Sequence, residues 1–520
     1  MSKRRHPPRR QTAVTPSSPP ISAAARAAFL AATTLAATIE RLSFARAWRE
    51  SASLTSAFYY GDALRFVEYA KAIVLGRPFD NGIPFHPPGW PLLLAGFLRI
   101  SGAEHAGDVV IPVTAVKTLI ACVSGLAVGA STLLAYEIAG AGAMLATAFL
   151  GTFNFGHIVQ GSVANSEPLY GLCLMLTVWA AWRWLHDPGG RGSAWSVLAG
   201  VAGGAAMLVR AEFLACAAAI GLVAWLAKSR RAHLATYVLV FCAVLTPSTV
   251  WHWRTLSAFN AGHVGRVAGP LPQFAPVTSY GPFNFAMANH PDADGGPNRD
   301  HPLLDRCTQE ADVRLSAGEL DLQCAAVYDL YVHGYAIGLG WIVQHPVDAF
   351  GLALRKLGRT LGCLSYGYFV DDVGAGVDGT RWRVDMVDPS SAWLLPIHIM
   401  LIVGGIVVLW RQTLAIGLLG APVFALVAST VMFYGYVRLG MAYLPVLWIL
   451  EAVAIAAILR RVASRRAVSN EIIVVAMAVL ASLVAVDAIR AGSTRSVVLT
   501  GVRTPGGALV QDETLEIREQ

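Results

Sequence analysis

Runs of about 20 apolar residues recur along this chain, and they leave it one environment in which to fold. A helix needs ~20 such residues to cross the ~30 Å of hydrocarbon in a bilayer. Lipid offers no partner to backbone N–H and C=O groups, so each crossing must be helical. About eleven runs read as spans, at 22–42, 110–137, 141–160, 166–185, 194–210, 213–228, 234–256, 393–410, 413–433, 440–459 and 471–489. Composition agrees: 55% of the 520 residues are hydrophobic and 14% charged, with a mean hydropathy of +0.52. A soluble domain carries about 25% charged residues. The expected fold class is all-α and polytopic.

Basic residues orient the spans. With the N-terminus inside, the inner segments hold Lys3, Arg4, Arg5, Arg9, Arg10, Arg183, Arg191, Lys228, Arg230, Arg231, Arg411, Arg460, Arg461, Arg465 and Arg466. The short outer turns hold Arg210 and Arg438. That asymmetry follows the positive-inside rule, and it assigns the net charge of +7 to membrane orientation rather than to nucleic acid. Residues 1–21 read as a disordered basic cytoplasmic tail and 22–489 as one transmembrane domain. The domain has a first outer loop at 43–108 and a second at 256–392, and a polar outer tail follows at 490–520. Within the second loop, His345 to Leu364 has the spacing of an interfacial helix, apolar side down and Arg355, Lys356 and Arg359 up.

Polar chemistry concentrates at the outer ends of the spans. Asp62 opens a short amphipathic helix with Leu64, Val67, Ala70, Ile73 and Val74 on one face. It reads either as the cap of that helix or as a general base at the membrane boundary. Glu167, between Ser166 and Pro168, is an ordinary helix start or a functional acid at a span mouth. Arg210 and Glu212 pair with each other, snorkel, or line a polar pocket. Arg438 stands against the charge rule, which calls for a lipid phosphate or a nearby carboxylate to compensate it. Asn284 and Asn289 lie in a Gly- and Pro-containing turn region, "FNFAMANHPDADGG". Of the seven cysteines, Cys122, Cys173, Cys216 and Cys242 fall in apolar runs as small core residues. Cys307 and Cys324 lie in the outer loop, where a disulfide is compatible with an oxidising exterior. No cysteine pair has metal-ligand spacing.

The order of these pieces resembles membrane glycosyltransferases of the GT-C fold. The resemblance is to bacterial members of glycosyltransferase family 39, related to the protein O-mannosyltransferases and the aminoarabinose transferase. It runs from about Phe58 to the tenth span. It is carried by Asp62, then Pro87-Pro88 leading to "PLLLA", then "NSEPLYGL", "GVAGGAAMLVRAE", "TVWHWRTLSAFN", "FNFAMANHPDADG" and "RLGMAYLPVL". The resemblance implies Asp62 as catalytic base and Glu167 as the acid that helps position donor or acceptor. It implies phosphate contacts from His86, Arg210 and Arg438, and Asn284 and Asn289 in a substrate loop. His86 stands where relatives often carry Lys, and Leu439 follows Arg438 where relatives usually have Tyr.

The function so implied is an inverting transfer of sugar from a polyprenyl phosphate donor to an acceptor hydroxyl on protein, lipid or glycan. The reaction would run at the outer face of a bacterial plasma membrane. It needs no cofactor; a few relatives use a divalent ion, which is not expected here. A transporter or flippase of lipid-linked sugars, or a non-catalytic envelope assembly factor, is the alternative. The topology is testable by cysteine labelling in a background without the seven native cysteines. In intact cells a membrane-impermeant maleimide is expected to modify Pro291→Cys, and Arg230→Cys only after permeabilisation. The reverse pattern would invert the topology.

Overall fold

The computed structural model describes the chain from Ile21 to Ser493, with breaks at 48–61, 78, 80–82, 106, 187–190, 266, 298–300, 305–306, 308–315, 318–319, 369–392 and 463–467. Beyond Ser493 it describes a strand pair at 502–503 and 509–510. The basic tail at 1–20 and most of the tail at 490–520 lie outside the described residues.

Each expected span is largely helical, those at 141–160 and 440–459 being split into two helices each, at Asn154 and at 442–443. The first half comprises α1 (Ala23–Ala47), α2 (Ala63–Val74), α3 (Gly89–Ile100), α4 (Val113–Ala139), α5 (Ala141–Phe153), α6 (Phe155–Gln160), α7 (Glu167–His186), α8 (Gly192–Val209) and α9 (Phe213–Leu226). The second half comprises α10 (Arg231–Gly262), α11 (Gly281–Ala288), α12 (Ala325–Gln344), α13 (Pro346–Leu361), α14 (Leu394–Leu409), α15 (Thr413–Met432), α16 (Val437–Met441), α17 (Leu444–Val462) and α18 (Asn470–Ser493). Among the described residues, strands occur only as two-residue antiparallel pairs. Among the described residues four helices, α4, α8, α10 and α15, are each long and apolar enough to cross a membrane. The outward faces of several helices remain apolar, with Leu35, Trp225, Leu239, Met400 and Val407 exposed. In a soluble protein such a surface would aggregate; on a bundle in lipid it faces its solvent. The chain is a multi-pass, all-α membrane protein.

Three packing units position the polar residues. The largest core joins α7, α8, α9, α15 and α17 around Tyr170, Met175, Phe213, Leu418 and Ile449. A second joins α2 and α3 to the start of α4 through Phe66, Val67, Trp90, Leu94 and Ile120. The Pro87-Pro88 turn ends where α3 begins, and Trp90 Nε1 donates to the Ala164 carbonyl at 2.7 Å, tying the first outer loop to the entrance of α7. A third core gathers the second outer loop around Leu256, Phe283, Met287, Leu330 and Tyr331 with Ile83 of the first. The two loops are also joined by hydrogen bonds: Ser279 N donates to Pro84 O at 2.8 Å, and the Thr278 hydroxyl donates to Phe85 O.

The interfacial run is helical, as α13, but its facing differs from the expectation for Lys356. Arg355 and Arg359 are exposed, as are Val347, Phe350 and Leu354, whereas Lys356 is buried. The reason is a local set of acceptors: Lys356 Nζ donates to Asn289 Oδ1 at 2.9 Å and to Val431 O at 3.1 Å. Helix α12 was not expected within the second loop; it packs on α11.

Gly89 sets how closely α3 meets the end of α8. A Cβ there would lie 2.7 Å from the Leu208 carbonyl carbon, whereas one at Gly96 of the same helix meets nothing within 4 Å. Gly89→Ala is expected to lower thermal stability by about 1–3 kcal/mol through overpacking, while Gly96→Ala leaves it unchanged or slightly raised. Equal melting of the two variants in detergent would contradict this contact.

Candidate active site

Four segments that the charge pattern places on one side of the bundle meet at a single point. Glu167 begins α7, where unpaired N–H groups favour an anion. Arg210 follows the last residue of α8 in extended backbone. Arg438 lies on the short α16. Asp62 precedes α2 and makes no side-chain capping bond to it. Its carboxylate instead accepts from Arg438 Nη2 at 2.5 Å. Asp62 holds the N-cap position of α2 through its backbone carbonyl, which accepts from Phe66 N at 3.0 Å.

Glu167 is the centre of the cluster. Its Oε1 accepts from Arg210 Nη1 at 2.7 Å and lies 3.1 Å from Arg438 Nε. Arg210 Nε reaches Glu212 Oε1 at 2.5 Å, and its Nη2 reaches Tyr436 Oη at 3.4 Å. Arg438 stacks over the Tyr436 ring, 5.6 Å from its centre. Two buried polar atoms in this group, Glu167 Oε2 and Arg438 Nη1, have no hydrogen-bond partner among the described residues. Below the ions, one turn along α7, Tyr170 Oη donates to Tyr443 Oη at 2.8 Å.

The ring of His86 packs edge-on to Phe66 and Phe85. Partial burial disfavours the charged form of Asp62, but the Arg438 guanidinium, aided by His86 and Arg210, outweighs this and holds the carboxyl below its ordinary range. Ionised and half-exposed, it is available to an incoming group. Tyr280 also belongs to this neighbourhood; burial, with the charges of Asp62 and Glu212 beside it, raises its phenol above the reach of ordinary pH.

Asp62, Glu167, Arg210 and Arg438 are thus in direct contact, with His86 close by. Asn284 and Asn289 are not part of that contact set. Asn284 lies half-buried on α11. Asn289 donates to Phe285 O and Met432 O, both at 2.8 Å, and accepts from Lys356, so the protein itself engages its amide. Cys307 and Cys324 form a disulfide, with Cα atoms 5.9 Å apart. Sequence reading missed Tyr280 and Tyr436 as site residues. Tyr436 stands two positions before Arg438 in "YGYVRLG", which was the available signal. Asp62 and Glu167 face guanidinium groups, and among the described residues no three His, Cys, Asp or Glu side chains gather as ligands.

No family model matches the chain, and no curated protein matches it. Solved structures show a distant likeness. One is the Archaeoglobus fulgidus oligosaccharyltransferase in complex with Zn and sulfate, at 12% identity and TM-score 0.45, covering 90% of this chain and 53% of that one. A second is AglB, the archaeal oligosaccharyltransferase of the same organism, with an inhibitory peptide and a dolichol-phosphate. It shows 14% identity and TM-score 0.45, over 90% and 54% of the two chains. A third is ArnT from Cupriavidus metallidurans bound to undecaprenyl phosphate, at 17% identity and TM-score 0.34, over 84% and 78%. The chain spans about half the length of the archaeal proteins.

Lys356 offers a pH test of how α13 packs against Asn289 and Val431. Burial pushes its amine from 10.5 down to about 7. Between those values the unfolded chain holds a proton that the folded chain has lost, so folded-state stability rises with pH through that window. The wild-type melting midpoint is expected to climb from pH 7 to pH 9.5 more steeply than that of Lys356→Met. Parallel curves would mean that the buried amine is charged throughout.

Proposed function

We propose that the chain is a GT-C glycosyltransferase that moves a sugar from a polyprenyl phosphate carrier to an acceptor hydroxyl at the outer face of a bacterial plasma membrane. One observation carries this reading. Residues 62, 167, 210 and 438, which the motif order singles out, converge as a carboxylate–guanidinium cluster beside two outer loops. A carrier-linked sugar combines an anionic leaving group with a hydrocarbon tail. Only a site at the membrane boundary meets the tail and a water-borne acceptor together.

In this reaction the acceptor oxygen attacks the anomeric carbon while Asp62 takes its proton. The bond from that carbon to the phosphate oxygen breaks, and the electron pair leaves with the phosphate. Direct displacement inverts the anomeric centre. Charge grows on the phosphate as it departs, and a fixed arginine stabilises growing charge more than the starting state. Glu167 holds Arg210 and Arg438 in place. A flippase would need the anion contact but no base, so loss of Asp62 separates the two readings.

The test is release of polyprenyl phosphate from a panel of polyprenyl phosphate sugars in liposomes, with crude envelope as acceptor. Asp62→Asn is expected to cut turnover by at least ~10²-fold, the lower end for general base catalysis. Turnover unchanged in the variant would remove Asp62 as the base. Carrier movement across the bilayer without product release would favour the flippase.

A further inference from the structure

The three carboxylates of the cluster are not equivalent. Glu167 is buried and engages both arginines, and Glu212 is held by Arg210. Asp62 has 46% of its side chain exposed, and among the described residues its ion pair is with Arg438. Arg438 also keeps one buried nitrogen, Nη1, without a hydrogen-bond partner among the described residues.

The geometry makes the difference matter. Among the described residues Asp62, Glu167 and Glu212 share the two guanidinium groups of Arg210 and Arg438, with His86 acting on Asp62 as well. A phosphate entering this group has to compete with a carboxylate for the guanidinium it approaches. Glu167 cannot leave without abandoning the buried Arg210 and the largely buried Arg438, which is strongly unfavourable. Asp62 can turn toward water.

We propose that Asp62 and the carrier phosphate compete for Arg438. Donor binding transfers the guanidinium from carboxylate to phosphate and frees Asp62 to act as base. This rests on the glycosyltransferase reading above and adds an order of events to it. While Arg438 holds Asp62, the carboxylate is a weak base. Once phosphate takes over the guanidinium, the charge that favoured ionisation is partly neutralised and Asp62 gains basicity. The site is then armed only when the donor is in place. The exchange also suits the chemistry: a sugar-linked phosphodiester carries one negative charge and the released monoester up to two, so Arg438 holds the product more tightly. Glu167 is, on this account, a positioning residue for the arginines.

The experiment is equilibrium binding of undecaprenyl phosphate to the full chain in detergent, for wild type, Asp62→Asn, Arg438→Gln and the double variant. Competition predicts that Asp62→Asn binds roughly tenfold more tightly than wild type, within the usual coupling range for contacting charges. Arg438→Gln binds more weakly, and Asp62→Asn adds nothing in that background. Asp62→Ala guards against a hydrogen bond retained by the amide and should show the same gain. Equal or weaker binding by both Asp62 variants would overturn the exchange, because Asp62 would then be positioning Arg438. That outcome leaves the transferase reading intact if wild type turns over donor. Absence of binding to every form, wild type included, would overturn both.

Discussion

The carboxylate of Glu167, shared between two guanidinium groups at the end of a membrane helix, is the constraint around which the rest is arranged. An ion out of water is costly unless it is paired and hydrogen-bonded, and removing one partner of a buried pair leaves an uncompensated charge. Arg210 and Arg438 therefore have to arrive together, from chain positions 43 residues beyond Glu167 and more than 200 beyond that. Their arrival fixes the ends of α7 and α8 and the short α16. Gly89 lets α3 lie against the carbonyl of Leu208, two residues before Arg210. Trp90, next in line, grips the loop that leads into Glu167.

Much of this architecture was written in the sequence because lipid is a strict solvent. A run of apolar residues near 20 long has few fates, and each such run is largely helical in the structure. The connection "VRAEF" between two spans is as tight as its brevity implied, with α8 ending at Val209 and α9 starting at Phe213. The acids and arginines could also be found singly, as polar groups stranded at span ends. Their partners could not. Asp62 and Arg438 are separated by 376 residues, and no local pattern records such a pairing.

Lys356 shows where local reasoning misleads. On a helix with an apolar face, a lysine between two arginines reads as solvent-facing. Its acceptors lie 67 and 75 residues away, on Asn289 and Val431, and they draw it inward while the flanking arginines stay out. Helix α12 was hidden for a related reason. Its residues, including "HGYAIGLG", look like loop material until α11 supplies a face to pack on.

The charged cluster, with two phenols beside it, has a consequence for what such a site can measure. Tyr170 and Tyr443 are hydrogen-bonded to each other, and the Arg210 guanidinium lies over the Tyr170 ring, 5.9 Å from its centre. If the proposed carrier places its phosphate on Arg438, the contacts this cluster offers are all to the charged head and none to the tail beyond it. On that reading, carriers differing only in their number of prenyl units would be read as the same molecule.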